Sequence, residues 1–125
     1  MKEKLRCLIL DDSLIDQLSL EIILSEYGEI KTTSVSTPEQ FSQTICQNNY
    51  QLFMIDINLG TQISGIELAK QIPHKSQAWV IFCSAADCQK YYDLYKELSL
   101  RKFYLQKPID EFSLRTYVDS FLRHF

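Results

Sequence analysis

Five short apolar runs recur along the chain, at residues 7–10, 30–35, 52–57, 79–83 and 103–105, and apolar residues repeat at helical spacing in the segments between them. A strand that is apolar on both sides must be covered on both faces, as inner strands of a parallel sheet are. Strands that alternate with helices then need crossover connections, which are right-handed in almost every case. The pattern predicts one α/β domain spanning residues 1–125, with a doubly wound (βα)5 arrangement and a five-stranded parallel sheet.

The helical segments carry their own signals. Leu14, Ile15, Leu18 and Ile22 mark one face of a first helix, Phe41 and Ile45 a second, and Ile66, Ala69 and Ile72 a third. Tyr91, Leu94, Tyr95 and Leu98 repeat at i, i+3, i+4 and i+7, and Leu114, Val118, Phe121, Leu122 and Phe125 carry the rule to the last residue. Thr37-Pro38-Glu39-Gln40 combines a capping threonine, a first-turn proline and a glutamine three residues after the cap.

An apolar content of 46% is enough for a packed core. With 16 acidic against 13 basic residues, nothing draws the chain to nucleic acid or to an anionic membrane. No apolar stretch approaches the roughly 20 residues that span a bilayer, so a soluble, cytoplasmic protein is expected. Cys7, Cys46, Cys83 and Cys88 show neither a CxxC pair nor zinc-type spacing and read as reduced structural thiols.

In an open parallel sheet, ligands bind at the carboxyl ends of the strands, near the point where strand order reverses. The residues closing each run are the polar ones: Asp11-Asp12 after the first, Asp56 and then Asn58 at the third, Ser84 at the fourth, and Lys107-Pro108 soon after the fifth. Adjacent strands lie about 4.8 Å apart, so three carboxylates on neighbouring strand ends would repel one another unless a cation intervened. Mg2+ is the natural choice, since it takes oxygen ligands and is held by one or two carboxylates together with phosphate oxygens. Asp12 and Asp56 are the expected direct ligands, Asp11 acts through water, and a backbone carbonyl near Asn58 completes the shell. A carboxylate can also accept a phosphoryl group, a transfer driven by positioning and charge neutralisation. Lys107 supplies a cation for it and Ser84 a hydroxyl.

The succession LILDD, MIDIN, IFCSA and LQKP resembles the receiver domain of bacterial two-component response regulators over essentially the whole chain. The resemblance implies the flavodoxin-like receiver fold, with Asp56 as phosphoacceptor, Asp11 and Asp12 as the acidic magnesium pair, and Ser84 as the switch hydroxyl. It also implies that Lys107 binds phosphate, that Pro108 follows a cis peptide bond, that Tyr104 is the switch aromatic, and that Gly65 is the glycine following the acceptor loop. The implied donor is a sensor histidine kinase or a histidine phosphotransfer protein, and the implied output surface is the face of the fourth helix, fifth strand and fifth helix. The chain would catalyse its own phosphoryl transfer and autodephosphorylation without being a metabolic enzyme. Leu59-Gly60-Thr61 departs from the proline many members carry in that loop. In the family, phosphoryl lifetime is tuned two residues after the acceptor and two after the switch, here Asn58 and Ala86. Alanine cannot orient an attacking water, so a long-lived phosphoryl group is expected.

Each of these residues alone has a plainer explanation. Asp11 and Asp12 could simply open a helix, where acids favour the dipole. Ser84 could be a turn residue, Lys107 a solvated charge, and Tyr104 a half-buried strand aromatic. Their joint order along one rim is what outweighs those readings. A haloacid-dehalogenase-type phosphatase shares the nucleophile but needs an aspartate two residues later, where this chain has Asn58, and 125 residues leave no room for a cap domain. Among the tyrosines, helical spacing sends Tyr91 and Tyr95 inward and leaves Tyr92 facing out, as part of a partner surface or a homodimer face.

Overall fold

The computed structural model describes residues 3–85 and 91–125. Five strands, β1 (Leu5–Leu10), β2 (Ile30–Val35), β3 (Leu52–Asp56), β4 (Trp79–Ser84) and β5 (Arg101–Gln106), alternate with helices α1 (Leu14–Ser25), α2 (Pro38–Gln47), α3 (Gly65–Ala69), α4 (Tyr92–Glu97) and α5 (Glu111–His124). All neighbouring strands are parallel, in the order β2-β1-β3-β4-β5. The expected doubly wound sheet is therefore what forms, and its strand order reverses between β1 and β3, which places the crevice at their carboxyl ends.

Alternate side chains of the inner strands supply two cores. Leu8, Leu10, Phe53, Ile55, Val80 and Phe82 point toward α2 and α3. Cys7, Ile9, Met54 and Ile81 point to the other face, against Leu20 and Leu24 of α1 and Leu114, Val118 and Phe121 of α5. Every residue of β3 and β4 is buried, which explains the unbroken apolar runs. The strand bounds differ from the sequence expectation at the edges only. β1 and β5 begin two residues earlier than their apolar runs because exposed Arg6 and Arg101 are paired by backbone register, which side-chain hydropathy does not record.

Helix α1 turns a different face inward from the one its aliphatic spacing suggested. Leu14, Ile15, Leu18 and Ile22 are 70%, 78%, 54% and 60% exposed, while Gln17, Leu20 and Leu24 are buried. The Gln17 amide decides the rotation. Its Nε2 lies 2.6 Å from the Asp11 carbonyl, 3.0 Å from that of Val35 and 3.1 Å from the Ser36 hydroxyl, tying the helix to the ends of β1 and β2. Turning the other face inward would leave those buried carbonyls without this donor, at a cost of about 1–3 kcal/mol each. At the other end of the chain Phe125 falls just past α5 and is 43% exposed, so the last apolar repeat does not extend the core.

Helix α4 is shorter than its apolar repeat, beginning at Tyr92 and ending before Leu98. The Lys102 ammonium closes its C-terminus, donating to the backbone carbonyls of Tyr95, Lys96 and Leu98. Tyr91, Leu94 and Tyr95 are half-buried against the α2–α3 side of the core. At the amino end of β4, Trp79 stacks on Phe103 with ring centroids 5.3 Å apart and meets Phe121 edge-on at 5.9 Å. Its buried indole N–H has no hydrogen-bond partner among the described residues.

Cys7 and Cys83 are buried free thiols, and burial pushes Cys83 up to about 12 and Cys7 higher still, as structural cysteines require. Cys46 is exposed, and Cys88 lies outside the described residues. Among the described residues, no helix is long and apolar enough to cross a membrane.

Candidate functional site

The parallel register delivers the polar strand ends to one rim. Leu10 pairs with Ile55, so Asp11 and Asp12 emerge beside Asp56, and Asp56 pairs with Cys83, which puts Ser84 one residue further along the neighbouring strand. Ser84 is buried, and its carbonyl accepts the Lys107 backbone N–H at 2.8 Å, which fixes where the lysine starts. The Lys107-Pro108 peptide bond is cis.

Local backbone bonds hold each carboxylate. Asp11 is buried, and its Oδ1 accepts the Ser13 N–H at 2.9 Å. Asp56 is 5% exposed, and its Oδ1 accepts the Asn58 N–H at 3.2 Å. The Asn58 side-chain oxygen accepts the Gly60 N–H at 3.3 Å. Asp12 is exposed. Gly65, at the start of α3, packs so tightly on Asp56 that a Cβ there would stand 2.2 Å from the Asp56 carbonyl oxygen.

Lys107 crosses the crevice to join these groups. Its ammonium lies 2.8 Å from Asp11 Oδ2, 2.8 Å from Asp16 Oδ2 and 3.4 Å from Asp56 Oδ2. Sequence reasoning missed Asp16. It stands three residues after Ser13, whose hydroxyl caps α1 by accepting the Asp16 N–H, and an acid there reads as an ordinary first-turn residue. Its distance from Lys107 in sequence hides the contact.

One ligand oxygen from each of Asp11, Asp12 and Asp56 can be chosen so that all three lie within 4.8 Å of one another. Oxygens around an octahedral magnesium ion are about 3.0 Å apart when adjacent and about 4.2 Å when opposite, so the three carboxylates would have to draw together, or one of them act through water, to complete the fit. The donor set, all hard oxygens, suits magnesium rather than zinc or copper.

Burial pushes the Asp56 carboxyl up to about 6; Lys107 opposes this, Asp11 adds to it, and the Asn58 N–H opposes it. Lys107 offsets burial only in part because its shorter bonds go to Asp11 and Asp16. For the Lys107 ammonium burial acts downward, but hydrogen bonds to Asp11 and Asp16 and the charge of Asp56 outweigh it and hold it above the usual lysine range. The Asp56 shift has a stability consequence. Between about pH 4 and 6 the folded chain keeps a proton that an unfolded chain has released, so stability falls as pH rises through that window. Asn cannot lose a proton. Metal-free Asp56→Asn is therefore expected to be more stable than the parent by on the order of 2–3 kcal/mol at about pH 8 and equal to it near pH 3.5, as read by urea denaturation at the two pH values. A less stable variant at pH 8 would mean that the pairing with Lys107 outweighs the cost of burial.

Tyr104 is half-buried and, with Ile57, Ile66, Tyr92 and Tyr95, lines an apolar cavity of about 200 Å3 beside the rim. Tyr92 is 52% exposed, with the Lys96 ammonium 5.1 Å above its ring. The structure thus brings Asp11, Asp12, Asp56, Ser84 and Lys107 to one rim, and sets Tyr104 and Tyr92 on the adjoining flank. Ala86 lies outside the described residues.

Residues 7–119 match the response regulator receiver domain family. Regulatory protein VirG of Agrobacterium fabrum is 28% identical over 74 residues, which are 57% of this chain and 29% of that protein, so the match spans under a third of that relative. The N-terminal domain of a response regulator/sensory box/GGDEF three-domain protein from Carboxydothermus hydrogenoformans superposes with a TM-score of 0.80 at 26% identity, covering 94% of each chain. A CheY-like receiver domain protein from Methanospirillum hungatei shares the fold, with a TM-score of 0.85 at 20% identity over 98% of this chain and 96% of that one.

Proposed function

Because this chain belongs to the response regulator receiver domain family, we propose that it switches a two-component pathway by accepting a phosphoryl group on Asp56 from a histidine kinase or histidine phosphotransfer protein. The observation that carries this reading is the convergence of three carboxylates and one lysine ammonium on a single rim. In the transfer, the P–N bond of a phosphohistidine breaks as a bond forms from an Asp56 carboxylate oxygen to phosphorus, and the imidazole nitrogen keeps the bonding pair. Asp56 acts as its anion, which is the major form above about pH 6. Lys107, on a strand end adjoining the site, donates to the arriving phosphoryl oxygens, and Ser84 offers its hydroxyl at the same level. Asp11, Asp12, Asp56 and the carbonyl of Asn58 would hold magnesium, which when bound neutralises charge on the transferring group.

The new charge on Asp56 favours conformers in which Ser84 and Lys107 engage it, and a population shift follows from that differential contact. The apolar cavity beside Tyr104 leaves its ring room to move, and α4, β5 and α5, with Tyr92 exposed, form the output face, where a partner or a second copy would bind. Incubation with acetyl phosphate and magnesium is expected to add one phosphoryl mass to the protein and none to Asp56→Asn. Equal addition to the two, or none to either, would remove Asp56 from the reaction.

A protein donor, rather than a small molecule alone, is supported by the aliphatic face of α1. Leu14, Ile15, Leu18 and Ile22 lie exposed on the helix whose first turn reaches Lys107, and Phe112 at the start of α5 is 79% exposed. Apolar residues grouped beside a reaction centre suit a helical partner presenting its histidine. The double variant Ile15→Ala, Leu18→Ala is expected to slow phosphoryl transfer from a purified phosphorylated histidine phosphotransfer domain by at least tenfold. Phosphorylation by acetyl phosphate should change less than twofold, since surface substitutions of this kind alter stability by only about 0.5 kcal/mol. Equal slowing with both donors would remove the docking role of α1.

A further inference from the structure

We propose that Asp16 is a positioning residue that competes with the phosphoryl group for Lys107, and so sets how strongly this site holds an anion on Asp56. The inference rests on the reading of Asp56 as acceptor. An ammonium has three donor hydrogens, and here three carboxylates take them: Asp11 and Asp16 at 2.8 Å and Asp56, the weakest claimant, at 3.4 Å. No donor is left over for an incoming oxygen. The two closer bonds draw Nζ toward α1 and away from the acceptor, and it is Asp16 that comes from the helix rather than from a strand end.

Asp16 also adds charge where charge matters. The bonds meeting at Nζ, 2.8 and 3.4 Å long, put the Asp16 oxygen no farther than 6.2 Å from that of Asp56. The lysine's side chain is 12% exposed and that of Asp56 6%, so screening by water is weak on that side, while Asp16 itself is 39% exposed and free to turn outward. Like charges at that separation repel appreciably in such a partly dry crevice. The fourth carboxylate therefore pulls two ways: it strengthens attraction for a cation and weakens retention of an anion. Phosphorylation would have to free Lys107 from Asp16, which could then turn outward into water.

The two effects have opposite signs, and this makes them measurable. Titration calorimetry of the full chain with magnesium alone should give Asp16→Asn an affinity about threefold weaker than the parent. Titration with beryllofluoride at saturating magnesium should give it an affinity about tenfold tighter. Asp16→Glu, which keeps the charge, should stay within twofold of the parent in both. Loss of a merely structural contact would weaken both ligands together, and that result, or changes below twofold in both, overturns the competition. A parent protein that binds no beryllofluoride would instead overturn the assignment of Asp56 on which the inference rests, so the two failures are distinguishable.

Discussion

Gly65→Ala is expected to cost on the order of 3 kcal/mol of stability and to slow phosphorylation of Asp56, although the added methyl touches none of the reacting groups. The reason lies in the backbone. A Cβ at Gly65 would sit 2.2 Å from the Asp56 carbonyl oxygen, 2.9 Å from its carbonyl carbon and 2.6 Å from the Ile55 Cγ2. Two of those atoms belong to the main chain of Asp56 and cannot step aside unless the end of β3 moves. The Gly65 N–H also donates to the Ile57 carbonyl at 2.9 Å, so α3 cannot retreat without breaking that bond. Relief by either route displaces Asp56 relative to Asp11 and Lys107. Gly28, where an added Cβ meets nothing within 4 Å, provides the control, and Gly28→Ala should lie within about 0.5 kcal/mol of the parent. Urea denaturation of the two variants and acetyl phosphate labelling rates check both halves of the expectation. A Gly65→Ala protein as stable as Gly28→Ala would mean that the α3–β3 junction yields easily.

Lys107→Met carries the second large effect. Methionine keeps all but the last atom of the side chain's length and removes its charge. The Asp11 and Asp56 side chains, 2% and 6% exposed, then face Asp16 and each other with no cation bonded to them. Removing one partner from a buried ion pair typically costs about 3–5 kcal/mol, and a loss toward the lower figure is expected at about pH 8 because Asp12 and Asp16 remain open to water. Two conditions should shrink it. Lowering the pH through 6 protonates Asp56 and dissolves part of the repulsion. Millimolar magnesium should restore stability by mass action, because an ion held by these carboxylates would favour the folded arrangement over the unfolded chain. A loss that is the same with and without magnesium would show that these carboxylates do not hold the ion.

The sheet and its rim were legible in the sequence because both follow from simple periodicities. Buried parallel strands have to be apolar along their length, and the residue that ends such a strand at the crevice is conspicuous when it is Asp56 or Ser84. Helix α1 was misleading for an equally physical reason. It is apolar nearly all round, and the face bearing Leu14, Leu18 and Ile22 has a spacing as regular as the face bearing Leu20 and Leu24. Polar bonds to distant residues, chiefly those of Gln17 to the Asp11 and Val35 carbonyls, select between them. Asp16 was hidden because its partner is 91 residues away and its local setting already explains it. Tyr92 did fall on the exposed side of α4, as spacing predicted, yet it also walls the cavity beside Tyr104, a relation that needs the third dimension.

Trp79 stands at the opposite end of β4 from Ser84, five residues or about 16 Å along the strand, and it is the chain's single tryptophan. Packed between Phe103 and Phe121, the indole is an optical probe built into the floor of the molecule, too remote for anything bound at the crevice to quench it by touch. A change in its emission on addition of beryllofluoride would thus record rearrangement carried through the length of the sheet, whereas silence would confine the response to the rim and the helices around it.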